Sequence, residues 1–312
     1  MKNSLLVNTS PHLHKKESVK RIMWLVALSL VPSGLAGVFI FGLHAFWAIG
    51  FGIIAAVATE FILQAVTKRK ITILDGSAVL TGLLLAYNLP PDAPFWLPIA
   101  GAVFSIAIGK QVFGGLGQNI FNPALVGRVF LMASWPKYMT TFVKPMSYDA
   151  VTSATPLAAL TEGKALENIS YLDLFLGNRP GCIGEVCIVA LLIGAAFLLI
   201  RGYISWHIPF SYILTTGLFA YIFGAKPLFT GDWLSNILSG GLILGAFFMA
   251  TDYVTSPLTY KGQLIFGIGC GLVTAVIRFW GGYPEGVSYA ILIMNAATPI
   301  IDRYTRPRIY GS

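Results

Sequence analysis

Long uninterrupted apolar runs, such as 22–41 and 183–200, dominate the chain, separated by short clusters of Gly, Pro, Asn and charged residues. They show no period-two alternation of the kind a half-buried strand requires. Crossing the ~30 Å hydrocarbon layer of a bilayer takes roughly 20 apolar residues in a helix, and runs near that length recur along the whole sequence. Reading from one turn signal to the next predicts ten spans, at 21–42, 44–66, 72–89, 95–110, 119–134, 183–200, 208–224, 232–250, 263–280 and 285–301. Lipid offers backbone groups no partners, so only helices and closed barrels cross it. A barrel needs alternating strands of about ten residues, which these runs do not provide. The predicted fold is an all-α polytopic membrane protein with about ten transmembrane helices.

Composition agrees. The chain is 11% charged and 56% hydrophobic, with a mean hydropathy of +0.74, whereas a soluble globular chain is roughly one-quarter charged. The net charge of +8 does not point to nucleic acid, because the basic residues sit at the ends of apolar runs and not on one soluble face. Their distribution reports topology. With the N-terminus inside, most of the 21 lysines and arginines fall on the inner side, among them Lys15, Lys16, Lys20, Arg21, Lys68, Arg69, Lys70, Arg303 and Arg306. The positive-inside rule then puts both termini in the cytoplasm and the polar segment 135–182 outside. Residues 12–21 lead straight into the first run with no small-residue cleavage site, so no signal peptide is expected. The chain thus divides into a cytoplasmic segment 1–20, a first half 21–134, an extracytoplasmic loop 135–182 with one short helix expected from Pro156, a second half 183–302, and a cytoplasmic tail 303–312.

The two halves echo each other. Lys110-Gln-Val-Phe-Gly-Gly-Leu-Gly in the first has a counterpart in Arg278-Phe-Trp-Gly-Gly-Tyr-Pro-Glu-Gly in the second, each between two apolar runs. An odd number of spans per half inverts the second copy in the membrane, as in many transporters that place a site between their repeats. Gly-Gly after a helix is also ordinary turn chemistry. The expectation is two inverted five-helix repeats.

Two segments read as interrupted helices. Glycines and Asn122-Pro123 break the apolar run at 114–124, and Asp252-Tyr-Val-Thr-Ser-Pro257 does the same later on. Irregular backbone at membrane depth survives only where it is buried in protein or lines a polar cavity, so Gly115, Asn119, Asn122 and Asp252 are candidate cofactor or ion-site residues. Ionisable residues near spans are candidates for the same reason; Asp75, Arg128, Asp252 and Glu285 stand out, each with a rival reading as a helix-end charge. Cys182, Cys187 and Cys270 are too few and too unevenly spaced for a disulfide framework and read as structural thiols. No metal site is expected.

Within the outer loop stands Asp149-Ala-Val-Thr152-Ser153-Ala154-Thr155-Pro156. Taken alone, Thr155 is a helix N-cap with proline at the first helical position. The stretch also resembles the flavinylation signature of membrane redox subunits, Asp-Gly-x-Ser/Thr-Ser/Gly-Ala-Thr, with Ala150 in place of the usual glycine. Other stretches extend the likeness: Leu74-Asp-Gly-Ser-Ala, Asn88-Leu-Pro-Pro, 114–128, Ala250-Thr-Asp-Tyr-Val-Thr-Ser-Pro, Tyr283-Pro-Glu-Gly, Met294-Asn and Ile301-Asp-Arg-Tyr-Thr-Arg-Pro-Arg. From about residue 20 to the end the chain resembles the D-type member of Rnf ion-translocating electron-transport complexes, in the NqrB/RnfD family. The related B-type member of sodium-pumping NADH:quinone reductase is the alternative, with an N-terminal segment this chain lacks.

That resemblance implies a multi-pass subunit in a prokaryotic cytoplasmic membrane. Its complex would pass electrons from reduced ferredoxin to NAD+ and couple this to Na+ or H+ movement. It also implies FMN esterified through its phosphate to Thr155, with Asp149, Thr152, Ser153 and Ala154 forming the attachment motif read by a flavin transferase. A second, noncovalent flavin, riboflavin, is implied among the spans, and the interrupted segment at 114–124 is the chosen neighbourhood. The chain has no iron–sulfur cysteine set, dinucleotide fingerprint or Gly-Lys-Ser phosphate loop, so iron–sulfur and flavin-bearing partner subunits must carry electrons to and from it. A small-solute transporter with the same repeats, in which Thr155 is merely a cap, and a scaffold for partner subunits are the competing readings.

Overall fold

Among the described residues, three helices are long and apolar enough to cross a membrane: α1 (Val19–Phe41), α2 (Leu43–Val66) and α13 (Tyr260–Trp280). The computed structural model describes residues 18–143, 145, 155–161, 170–225, 227–282 and 285–306, and its regular elements are all helical. Local chemistry sets the ends. The Ser18 hydroxyl accepts the Arg21 amide at the start of α1, and Gly42, at φ 79°, turns the chain sharply into α2.

The remaining predicted spans are shorter or broken. The run at 72–89 is helical only as α3 (Ser77–Tyr87), behind a 3₁₀ turn at Ile73–Asp75. The next, α4 (Trp96–Ile106), continues as a π turn through Ala107–Gln111, and α5 (Pro123–Ser134) starts only after the glycine-rich break. In the second half come α9 (Ile188–Ile200) and α10 (His207–Phe223). The run at 232–250 is split into α11 (Trp233–Leu238) and α12 (Leu242–Leu244), the latter continuing as a π turn at Gly245–Met249. The chain closes with α13 and α14 (Val287–Thr305). Segment 135–182 holds more than the single expected helix: α6 (Pro136–Thr140) and α8 (Tyr171–Leu176) accompany α7 (Pro156–Thr161). The extra pair have local causes, Pro136 at the first position of α6 and a reciprocal cap in α8, where Ser170 and Asp173 bond each other's backbone amides. The Ser170 hydroxyl and, after it, the Ser170 amide donate to the Asp173 carboxylate and hold it below the usual carboxylate range.

Packing pairs α2 with α3 and α4, and α10 with α13; α1 lies on α9, and α5 touches α14. Small residues permit the close approaches. A Cβ on Gly82 would sit 2.7 Å from the Gly52 carbonyl oxygen, and Gly267 and Gly271 lie against Ser211 and Thr215. Where α2 and α4 begin, His44 stacks on Phe95; where α10 and α13 begin, His207 stacks on Tyr260. Polarity runs opposite to a soluble protein: Leu35, Phe39, Ile54, Leu214 and Leu218 are exposed, whereas Glu60, Lys110, Arg128, Arg179 and Arg278 are buried. Exposed apolar surface on this scale fits a lipid surround.

Helix breaks inside such a bundle need polar partners. At the break before α3, Gly76 adopts φ 83°, and the Asp75 carboxylate accepts the Ser77 amide and hydroxyl at 2.8 and 2.5 Å. Lys110, from the π turn after α4, donates to the Ser77 hydroxyl at 2.6 Å and to both oxygens of Glu60 on α2 at 2.8 Å. Gln64 and Gln111 complete the shell around Glu60, each donating at 3.0 Å. At the break between α11 and α12, Gly240 adopts φ 68°, and Arg278 near the end of α13 donates to the carbonyls of Asn236 and Ser239 at 2.7 and 3.4 Å. Both breaks are held by a buried cation from the end of a neighbouring helix.

The segment before α9 is clamped just as tightly. Amides of Ile183 and Gly184 donate to the carbonyls of Leu89 and Tyr87 at 3.0 Å, and the Ser33 hydroxyl donates to the Gly184 carbonyl at 2.6 Å. Gly184 lies flat on the Tyr87 ring, where a Cβ would come within 2.2 Å of the ring carbons. Gly184→Ala should therefore lower stability by ~1–3 kcal/mol through overpacking, seen as an earlier thermal transition of the detergent-solubilised protein. Gly50→Ala, where nothing lies within 4 Å, is the silent control. Lys110→Met strands the Glu60 carboxylate and should cost ~3–5 kcal/mol, with much of the loss recovered when Glu60→Gln is added; the same melts, run as a double-mutant cycle, read this out.

Candidate functional site

Polar chemistry gathers in two places, at opposite ends of α3. That helix has 11 residues, or ~16 Å of axis. Ser77 opens it beside a cavity, and Asn88 closes it against a cluster of buried charge.

The cavity, ≈ 80 Å³ and open to one side, has aliphatic and aromatic walls supplied by Met23, Val26, Leu84, Leu198 and Phe247. Its polar groups are Ser77, Lys110, Asn119, Asn122 and Asp252. The broken backbone delivers them. Gly114, Gly115 and Gly117 all have positive φ, between 91° and 123°, and fold the chain back so that Asn119 and Asn122 face inward. Asn122 caps α5: its side-chain oxygen accepts the Ala124 amide at 3.1 Å while its amide donates to the Met249 carbonyl at 3.2 Å. Asp252 accepts the Thr255 hydroxyl at 3.3 Å. A slot with apolar walls and clustered hydrogen-bonding groups suits a flat heteroaromatic ligand.

The charge cluster surrounds the Gly240-Gly241 turn. Arg128 on α5 pairs with Glu285 and donates to the Asn88 side-chain oxygen at 2.6 Å. Arg179 donates to the Glu185 backbone carbonyl at 3.0 Å, and one Glu185 oxygen accepts the Cys182 amide at 3.0 Å. Glycine is required at the turn: a Cβ on Gly241 would lie 2.8 Å from Oε2 of Glu185, and one on Gly240 would lie 3.3 Å from Glu285 and 2.9 Å from Leu157. Atoms of Cys182, Glu185 and Glu285 approach within 4.8 Å of one another. Three guanidinium groups in the same cluster make it a poor seat for a metal cation.

Thr155 opens the short helix α7, which reaches this cluster through Leu157. It is half-buried, and its hydroxyl oxygen accepts the Ala158 amide at 3.2 Å, capping α7. Leu157 is fully buried and reaches Gly240, and α7 packs on α11. Because the cap uses only a lone pair of the oxygen, an ester at this hydroxyl leaves the cap intact. Residues Asp149, Thr152, Ser153 and Ala154 lie outside the described residues.

Of the other residues singled out in the sequence, Asn119, Asn122 and Asp252 converge on the cavity. Asp75 is a local cap one step behind it, and Gly115 belongs to the turn without lining the space. Glu285 is not part of the cavity; it belongs to the charge cluster with Arg128. Sequence reasoning does not find Glu60, Lys110, Arg179, Glu185 and Arg278 as buried groups. Glu60 gives a usable signal, a lone acid within an apolar run, but the others resemble span-flanking charges until the helices are packed.

Comparison with known proteins places this architecture. The model of the NQR2, RnfD, RnfE family matches residues 6–311. The D component of the Na(+)-translocating ferredoxin:NAD(+) oxidoreductase complex of Acetobacterium woodii is 51% identical over 99% of this chain and 96% of its own length. Its counterpart in the proton-translocating ferredoxin:NAD(+) oxidoreductase complex of Clostridium ljungdahlii is 50% identical over 100% of this chain and 97% of its own. The corresponding component of the ion-translocating oxidoreductase complex of Citrobacter koseri is 37% identical over 98% of each. With similarity running through both halves and the loop between them, the chain belongs to the NQR2, RnfD, RnfE family.

Proposed function

We propose that this chain is the D-type membrane subunit of a complex that oxidises reduced ferredoxin with NAD+ and drives Na+ or H+ across a prokaryotic cytoplasmic membrane. The observation that carries this reading is 51% identity over nearly the full length of a relative named for that activity. The chain carries FMN as a phosphoester on Thr155, loaded by a flavin transferase, and holds riboflavin in the cavity at Asn119. A bound isoalloxazine ring takes up and passes on electrons. Thr155 anchors one ring through its hydroxyl, and Leu157 packs its short helix onto Gly240. Arg128 and Arg278 set a positive potential beneath that helix. In the cavity, Asn119, Asn122 and Asp252 supply hydrogen bonds to one edge of a ligand while Val26 and Leu84 keep water from its faces. Electrons enter and leave through iron–sulfur and flavin-bearing partner subunits.

The helices form ten spans in two inverted repeats, 21–134 and 183–302, with both termini cytoplasmic and the loop with Thr155 outside. Paired features support the repeat. His44 on Phe95 matches His207 on Tyr260, the break at Gly76 matches that at Gly240, and Lys110 matches Arg278. Contacts of α1 with α9 and of α5 with α14 join equivalent members. The exposed Lys68-Arg-Lys run at the end of α2 supports an inner location for that end.

Coexpression with a flavin transferase should yield flavin fluorescence that migrates with the chain on a denaturing gel and vanishes in Thr155→Val; fluorescence that persists in the variant would sink this attachment site. Asn119→Leu should leave that band intact while reducing, at least severalfold, the flavin released from the native protein by acid. Equal release from both proteins would move riboflavin elsewhere.

A further inference from the structure

The charge cluster below Thr155 contains two acids that the proposed chemistry does not yet use. Glu185 is 2% exposed, and its Oε2 is sealed from water with no hydrogen-bond donor. Its carboxyl lies within 4.8 Å of an oxygen of Glu285. Two carboxylates this close, one buried and the other only 14% exposed, resist being ionised together, and a shared proton relieves both the repulsion and the unpartnered oxygen.

The groups facing the pair come from every neighbouring element. Arg128 reaches from α5, Arg278 from α13, and Arg179, Cys182 and Cys187 lie on the segment that carries Glu185. Arg128 pairs directly with Glu285, Arg179 is held against the Glu185 backbone, and Arg278 lies at the Gly240 turn beside them. One backbone turn ties it to the loop: Gly241 abuts Oε2 of Glu185, and the adjacent Gly240 abuts Glu285, Arg278 and Leu157, two residues past Thr155.

We propose that the Glu185–Glu285 pair is the proton acceptor that compensates charge on the flavin esterified to Thr155. If that flavin takes up one electron from the partner subunits, the pair would take up one proton from water at Glu285, the partly exposed member. Carboxylate becomes carboxylic acid, and the summed charge of flavin and pair is unchanged. Loss of the electron returns the proton to the same water. An added negative charge in a low-dielectric site raises the proton affinity of nearby acids, and uncompensated charge would oppose reduction by the same interaction. Glu185 acts here as a positioning group for charge and makes no bond to the flavin. The inference rests on the Thr155 ester.

The test uses the intact complex, checked first for fluorescence of this chain on a denaturing gel. Infrared difference spectra between reduced and oxidised states should show a carboxylic C=O band gained on reduction that shifts when glutamate is labelled with 13C. Glu185→Gln should lose the band and raise the midpoint of the covalent flavin above neutral pH, with no change well below it, since the variant lacks only the ionised form. Gly241→Ala, which presses on Oε2, should shift the band without abolishing it, and this variant decides the matter if Glu185→Gln does not assemble. A fluorescent chain with no glutamate-dependent band, or a band unchanged in both variants, overturns the proposal. A chain without gel fluorescence overturns the Thr155 ester and this inference together.

Discussion

Helices that stop inside an apolar surround leave amides and carbonyls without partners, and a buried cation stands at each of two such breaks here. Lys110 reaches the break before α3 and Arg278 the break between α11 and α12. Each comes from the end of a neighbouring helix, so satisfying the break also fixes how two helices sit together. The two solutions differ in chemistry. Lys110 is balanced by Glu60, whose Oε1 also accepts from two glutamines. Arg278 meets only backbone carbonyls, and its Nε has no acceptor. The first break is electrically closed, and the second carries excess positive charge into the region beneath Thr155.

That asymmetry separates the two polar regions. The cavity near Ser77 is walled by apolar side chains and has a few neutral or singly charged groups turned into it, which suits a bound ring. The cluster near Asn88 is filled with its own charged side chains and leaves far less space. Since α3 connects them and α9 runs back from one to the other, the same two helices carry both environments.

Much of the helical content is legible from hydrophobic runs alone. The runs at 21–42, 44–66 and 263–280 correspond closely to α1, α2 and α13, because long apolar helices leave little choice of boundary. Boundaries fail where the chain breaks inside an apolar run. Nothing in the hydropathy of 232–250 distinguishes an intact helix from α11, a left-handed glycine and α12, since the break is stabilised by Arg278 from far along the sequence. The loop helices α6 and α8 escape the pattern for the opposite reason, being too short to show a period.

By itself the sequence determined the all-helical class, the interruption at 114–124 and the polar groups Asn119, Asn122 and Asp252 as candidates, because glycine, proline and buried amides have few uses within apolar runs. It also singled out Thr155 as a cap, and the motif around it as a resemblance. Only the tertiary structure decided that Glu285 belongs with Arg128 and Glu185 instead of with the cavity, and that Leu157, two residues past Thr155, packs at the Gly240 turn. Those residues lie far apart along the chain, and charge interactions depend on distance and burial, neither of which is written in the order of the residues.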